Sequence, residues 1–280
     1  MKAMLTLLAA GAVAAIASAA QAGPSVEIED AVARVSVIPE ARQDVKVEFI
    51  RTHPGLPMTI RHEGARTIVD GDLERRIGGC RMVDNRAGVR VRDVGWVEHD
   101  EMPQILIRVP RDAEVAVSGA VFGAIDRSAS LKLSNAGCGD WVVADVAGPM
   151  HLNLAGSGGI RTGKAGHAKM RLAGSADIRT QAIQGGLEVS LAGSGDVVAA
   201  SISGPLNVSV AGSGNVMVAG GRATEMQVNV AGSGDAELRG AADSLKVHIA
   251  GSGDVRVDRV HGEVSKAIIG SGDVIVGGRS

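Results

Sequence analysis

Aromatic side chains are nearly absent from this sequence. Phe49, Trp96, Phe122 and Trp141 are the complete set, and there is no tyrosine. Sugar-binding platforms and surfaces for single-stranded nucleic acid commonly depend on stacked aromatic rings. The scarcity of rings therefore disfavours an extended surface of either kind.

The sequence also lacks an excess of one charge and, after its N-terminal segment, any long apolar run. Lys and Arg total 29 against 31 Asp and Glu, which gives a formal net charge of −2. A nearly neutral chain offers no general field for nucleic acid or anionic lipid. A transmembrane helix needs about 20 apolar residues. We therefore expect no nucleic-acid partner and no transmembrane anchor.

The first 22 residues have the pattern of a secretory signal peptide. Lys2 precedes an apolar stretch from Met4 to Ile16, and small residues follow, ending in Ala20-Gln21-Ala22. This order of charge, apolar core and small residues predicts cleavage after Ala22. We expect an exported protein, periplasmic or extracellular.

Only two cysteines are present, Cys80 and Cys138. In an oxidising compartment two thiols tend to pair, which favours a disulfide between them. The alternative is two buried free thiols, since cysteine packs as a small hydrophobic residue. Neither cysteine has a recognisable local signature of a catalytic nucleophile.

Glycine, in contrast, is abundant, with 39 of 280 residues, about twice the usual share. Many of these glycines belong to one repeated phrase, AGSGD or a close variant of it. Successive first glycines of the phrase are 19, 18, 19, 19, 20, 19 and 19 residues apart. A near-constant period of this length is typical of a solenoid, in which each repeat packs on its neighbours. The first glycines are Gly137, Gly156, Gly174, Gly193, Gly212, Gly232, Gly251 and Gly270.

Each phrase is flanked by strands with alternating apolar residues. LEVSL at 187–191 and LNVSV at 206–210 show the pattern before the phrase, and a second apolar alternation follows it. Alternation with a period of two predicts strands with one buried face. A 19-residue period leaves no room for a helix. The inward column before the phrase comprises Leu133, Leu152, Met170, Val189, Val208, Val228 and Val247.

These features predict an all-β chain with two main parts. Residues 130–280 form a regular parallel β-solenoid with about 19 residues per coil. Residues 23–129 are also rich in strands but lack the glycine phrase, with a charged insertion around 61–101. We expect them to be irregular first coils of the same solenoid, and a separate small β domain is the alternative.

The AGSGD phrase recurring after LxVxV strands, behind a secretion signal, resembles the putative auto-transporter adhesin, head GIN domain family of bacterial envelope proteins. The resemblance covers roughly residues 30–280 and is specific in the repeat half. It implies a single-stranded, right-handed parallel β-helix. It implies an adhesin-like role less firmly than the fold, and it carries over no catalytic residue.

The last position of the phrase is usually aspartate, including Asp196, Asp235, Asp254 and Asp273. A column of carboxylates could bind Ca²⁺, as glycine-rich β-rolls do. Alternatively, each aspartate caps its own turn, a role that Asn215 could equally perform. We favour capping, because Ca²⁺-binding β-rolls have a nine-residue period. We therefore expect no metal site and no cofactor.

The repeats contain no unique constellation of reactive side chains. This favours a non-enzymatic envelope protein, a β-solenoid scaffold for adhesion or for binding a surface protein or polysaccharide. The alternative is a polysaccharide lyase or hydrolase with a site in the N-terminal half, where three acid groups lie outside the repeats: Glu29 with Asp30, Asp70 with Asp72, and Glu98 with Asp100 and Glu101.

Self-association is a further expectation. The last repeat, SKAIIGSGDVIVGG, shows no evident polar cap. An open β edge carrying Ile268, Ile269 and Ile275 favours end-to-end pairing of two copies.

Overall fold

A computed structural model describes residues 23–83 and 86–279 of the chain. The predicted signal peptide, residues 1–22, lies outside the described residues. The described part consists of strands, turns and two short 3-10 helices. The predicted all-β solenoid is confirmed, with about nine turns of about 19 residues each.

The N-terminal half contains nine strands and both 3-10 helices. The helices are η1 (Glu74–Arg76) and η2 (His99–Glu101). The strands are β1 (Ser25–Glu40), β2 (Lys46–Arg51), β3 (Thr59–Glu63), β4 (Arg66–Asp70), β5 (Ile77–Val83), β6 (Arg86–Val91), β7 (Gly95–Glu98), β8 (Gln104–Pro110) and β9 (Asp112–Ile125).

The repeat half contributes the remaining strands. These are β10 (Ser130–Gly137), β11 (Trp141–Val143), β12 (Val146–Gly156), β13 (Ile160–Thr162), β14 (Ala165–Gly174), β15 (Ile178–Ile183), β16 (Leu187–Gly193), β17 (Val197–Gly212), β18 (Val216–Val218), β19 (Gly221–Gly232), β20 (Ala236–Ala242), β21 (Leu245–Gly251), β22 (Val255–Val260), β23 (Val264–Gly270) and β24 (Val274–Arg279).

Equivalent residues of successive coils lie directly opposite each other in parallel pairs. Gly193 pairs with Gly174 on one side and with Gly212 on the other. The same register aligns Val189 with Met170 and Val208. Since the period equals one coil, equivalent positions stack on one another, and the inward column is aliphatic from Leu133 to Val247.

The interior of the solenoid is an aliphatic column built from both strands of each coil. Leu152, Val208 and Val247 are at most 2% exposed. Fully burying one such side chain stabilises the fold by roughly 1.5–3 kcal/mol. No single coil can enclose this column, so each depends on the coils above and below it.

The N-terminal strands continue the same stack. β9 pairs in parallel with β10 and β11 on one side and with β1 on the other, and β1 pairs in parallel with β4 and β8. Beyond these, β2 and β3 pair antiparallel with β8 and β4. Parallel pairing thus connects the N-terminal strands of the stack with the repeat half.

An insertion between β4 and β8 forms a separate antiparallel sheet of β5, β6 and β7. A second apolar cluster, which includes Leu73, Val89 and Val97 of the insertion, packs against Val32 and Ala120 of the stack. The charged segment expected at 61–101 therefore contains strands, and it packs against the outside of the solenoid.

The corner glycines allow successive backbones to approach closely. Gly193 has φ +136°, and Gly174 has φ +121°. A Cβ atom placed on Gly174 would stand 2.5 Å from the carbonyl oxygen of Gly156 in the preceding coil. Both the left-handed backbone and the close approach exclude a side chain here.

We predict that Gly193→Ala lowers the free energy of unfolding by about 2 kcal/mol or more, because alanine adds backbone strain and a steric clash. Urea unfolding followed by circular dichroism measures the change. Gly220→Ala is the matched control, since its Cβ would lie 3.7 Å from the nearest atoms. Equal destabilisation by both substitutions would contradict this account of the corner.

Candidate functional site

The repeated polar residues of the AGSGD phrase bind the backbone of the next coil. The Oδ1 atom of Asp177 accepts a hydrogen bond from the backbone N–H of Asp196 at 3.0 Å. Asp196 in turn accepts from the N–H of Asn215 at 3.0 Å, and Asn215 accepts from that of Asp235 at 3.0 Å. The corresponding bonds from Asp254 to Asp235 and from Asp273 to Asp254 measure 2.8 and 2.9 Å.

This ladder corrects the expectation that each aspartate caps its own turn. The side chain acts between coils, because the acceptor and the donor are one full period apart. Asn215 accepts its bond as the aspartates do, so the ladder does not depend on charge. Among the described residues, no group of three or more His, Cys, Asp or Glu side chains could hold a metal ion.

The backbone at the same corners forms a second ladder. The Ser194 N–H donates to the Gly174 carbonyl oxygen at 3.0 Å, and the Ser213 N–H donates to that of Gly193 at 3.0 Å. Thus both the glycine carbonyls and the acid side chains join coil to coil. The predicted corner residues are brought together along one ridge, where they hold the stack together.

Cys80 and Cys138 are joined by a disulfide in the structure, with their Cα atoms 5.7 Å apart. Cys138 occupies the corner position that serine holds in most repeats, and Cys80 lies in β5 of the insertion. The bond therefore ties the insertion to a corner of the solenoid.

A cavity of about 870 Å³, here called the N-terminal cleft, lies between the insertion and the solenoid. Its floor is the outer face of the sheet formed by β8, β1, β9 and β11. Gln104 lies beside Arg34, and Arg34 lies beside Phe122 on neighbouring strands. Ala124 and Val142 continue the floor, and Val142 is 54% exposed.

The wall of the N-terminal cleft is the segment around η2. The side chains of Glu98, His99 and Asp100 line it. His99 packs edge-on against Phe122 of the floor, with the ring centroids 5.3 Å apart. The wall is thus held against the floor by an aromatic contact.

Asp100 connects the wall to the floor by charge. Its Oδ1 lies 3.5 Å from the Arg34 guanidinium and 3.3 Å from Nδ1 of His99. Asp140, on the opposite side of the cleft, accepts a hydrogen bond from the Gly159 N–H at 2.8 Å. The residues that line the cleft thus include one guanidinium, that of Arg34, and three carboxylates, those of Glu98, Asp100 and Asp140.

The arrangement suits the binding of a polar, uncharged or cationic group. Carboxylates accept hydrogen bonds from hydroxyls or amines, and Arg34 and Gln104 supply donors. Phe122 and Val142 add apolar surface to the lining of the cleft. An excess of carboxylates disfavours anionic ligands.

The sequence analysis identified part of this site. It named three acid groups outside the repeats, of which Glu98 and Asp100 line the N-terminal cleft, whereas Glu29 with Asp30 and Asp70 with Asp72 do not. It did not connect them with Arg34, Phe122 or Asp140, which lie tens of residues away along the chain.

Among the described residues, no helix has the length and apolarity needed to cross a bilayer.

We predict that Asp196→Ala destabilises the protein by about 1–2 kcal/mol, since the Asn215 N–H and side-chain amide both lose their acceptor. Asp196→Asn is the control, because an amide oxygen can accept the backbone bond as Asn215 does. Its Tm should stay close to that of the parent. Thermal melts with and without Ca²⁺ complete the test, and a Ca²⁺-dependent rise in Tm would refute the hydrogen-bonded ladder.

We predict that the protein, when produced in an oxidising compartment, has no free thiol under denaturing, non-reducing conditions, as measured by alkylation and mass spectrometry. Paired replacement of Cys80 and Cys138 by serine should lower the free energy of unfolding by about 2–4 kcal/mol, because the bond closes a long loop. Two alkylated cysteines in the untreated protein would contradict the pairing.

Comparison with known proteins agrees with this fold. The solved structure of a putative lipid binding protein from Parabacteroides distasonis has a TM-score of 0.52 and 19% identity, over 91% of this chain and 93% of that chain. At this identity the similarity concerns the fold alone. A putative cell adhesion protein from Clostridium sporogenes has a TM-score of 0.24 and 9% identity, over 91% and 92% of the two chains. That likeness is too distant for any inference.

No curated protein matches the chain. Residues 168–280 match the family described as "Putative auto-transporter adhesin, head GIN domain". The matched region begins in β14 and contains the six following AGSGD-type corners. The resemblance to the head GIN domain family is thereby confirmed for residues 168–280.

Proposed function

We propose that this protein is a non-enzymatic, exported β-solenoid that binds a surface partner in its N-terminal cleft. The observation that carries the proposal is the cavity of about 870 Å³ between the insertion and the solenoid. The family matched by the repeat half is named for an adhesin, which supports a binding role at the cell surface.

The architecture supports binding by a preformed site. The floor of the N-terminal cleft consists of strands paired on both sides, and the wall belongs to an insertion joined to the solenoid by the Cys80–Cys138 bond. A rigid site loses little conformational entropy when a ligand binds. The repeats make the solenoid long, and the hydrogen bonds between successive coils at their corners make it rigid.

The partner proposed for the cleft is a neutral or amino-bearing polysaccharide. Hydroxyls and amines fit the carboxylates of Glu98, Asp100 and Asp140, and the Phe122 ring can contact the C–H face of a sugar. An envelope protein is the other partner class that the sequence analysis named. An anionic polymer fits the cleft less well.

The enzymatic alternative, a polysaccharide lyase or hydrolase, has less support. A glycosidase needs one carboxyl group that donates a proton and a second that acts as base or nucleophile. In the N-terminal cleft, Asp100 lies beside both Arg34 and His99, and Asp140 accepts a backbone hydrogen bond. These contacts are made by Oδ1 of each carboxylate and hold the site together, while the other lone pairs can still accept hydrogen bonds from a bound ligand.

We predict that the protein binds oligosaccharides on an array of neutral, amino-bearing and acidic glycans, and that His99→Ala weakens binding at least about tenfold. The imidazole packs on Phe122, so its loss should disturb both wall and floor. Arg256→Ala is the matched control. Arg256 is exposed and shares an outward strand position with Val142, several coils away.

Three results would count against the proposal. Equal loss of binding in both variants would show that the ligand does not bind in the N-terminal cleft. If the protein captures an envelope protein and binds no glycan, the partner is a protein and not a polysaccharide. Chromatographic detection of shortened glycan products would favour the enzyme.

A further inference from the structure

Most of the exposed large hydrophobic residues of the described chain lie at the two ends of the solenoid. Phe49, Ile50 and Ile60 are in the N-terminal edge strands β2 and β3, and they are 37, 58 and 39% exposed. Ile269 and Ile275 lie in the last coil and are 79 and 39% exposed. Apolar residues at sheet edges favour the pairing of copies.

The C-terminal end presents two unpaired strand edges. β23 pairs with β21, and β24 pairs with β22. On their other edges no strand is present within residues 23–83 and 86–279, so backbone N–H and C=O groups face outward. Val264, Ile268 and Val274 lie against the core and are only partly buried. Such an end matches the surface that the next coil of a solenoid would cover.

One residue of this end breaks the aliphatic pattern. The strand register places Lys266 directly opposite Val247. Val247 is fully buried, and its column consists of Leu133, Leu152, Met170, Val189, Val208 and Val228 in the earlier coils. Lys266 is exposed. The inward column thus ends in a charged side chain.

A lysine at this point opposes the addition of another coil. A second copy stacked on the open end would cover the inward column and remove the ammonium group from water. Burial of an unpaired charge is strongly unfavourable. While the end stays open, the long lysine side chain can cover apolar surface and keep its charge in solvent.

We propose that Lys266 is the residue that prevents a second copy of this chain from stacking on the C-terminal end of the solenoid. The surface is otherwise complementary to a further coil in strand geometry and aliphatic content. The inward column predicted from the sequence stopped at Val247, one repeat too early, so the role of Lys266 at its end was not predicted. The end-to-end association expected from the isoleucines is thereby opposed by a single charge.

The test is sedimentation velocity over a wide range of protein concentration, with the full chain after export. Lys266→Met keeps the length of the side chain and removes its charge, and it should strengthen self-association at least about tenfold over the parent. Lys266→Glu should stay as monomeric as the parent, because it restores a charge in the column.

Lys246→Met is the matched control. Lys246 is exposed, and it lies opposite Ser265 on the outward side of the preceding coil. It should leave the sedimentation behaviour unchanged, and circular dichroism should show native strand content in all variants. The proposal is overturned if Lys266→Met remains monomeric throughout the range. It is equally overturned if Lys246→Met or Lys266→Glu associates as strongly as Lys266→Met.

Discussion

Each AGSGD-type corner of this solenoid brings the backbones of two coils so close that no Cβ atom fits between them at its first glycine. The glycine carbonyl of one coil accepts a hydrogen bond from the N–H of the serine in the next, at 2.9–3.1 Å from Ser157 to Ser271. The same contact sets the register that stacks valine on valine in the interior. The dry column, the aspartate ladder and the constant period all depend on this close approach.

Such a constraint leaves the repeats little freedom to perform chemistry. Their corner polar groups are occupied in joining coils, and their inward residues form the core. Parts of the N-terminal half escape the constraint, since β2, β3 and the insertion pair antiparallel outside the stack. The cleft lies where this variable part meets the regular one, and the disulfide from Cys138 secures the two together.

The two ends of the solenoid differ in how their terminal strand edges are protected from pairing with another chain. A stack of parallel strands always ends in an unpaired edge. At the N-terminal end, short antiparallel strands with charged residues such as Lys46 and Arg61 cover the first coil. At the C-terminal end no described strand pairs with the outer edges of β23 and β24, and a lysine takes the place of an aliphatic residue in the interior column.

Much of the fold could be predicted because its rules are local and repeated. Alternation marked the strands, and the glycine spacing set the length of a coil. The acceptor role of Asp196 toward the next coil was not predicted, since a single repeat does not show which backbone its side chain meets. The cleft was only partly predicted, because Arg34, His99, Phe122 and Asp140 come from separate segments.

By itself the sequence determined that the chain is a stack of 19-residue coils, since periodic apolar and glycine residues allow one regular way to bury the aliphatic face. Only the tertiary structure decided which side chains meet across coils and across the insertion. Those contacts depend on which backbone each corner side chain reaches and on the packing of the insertion against Val32 and Ala120, and neither follows from the repeat spacing.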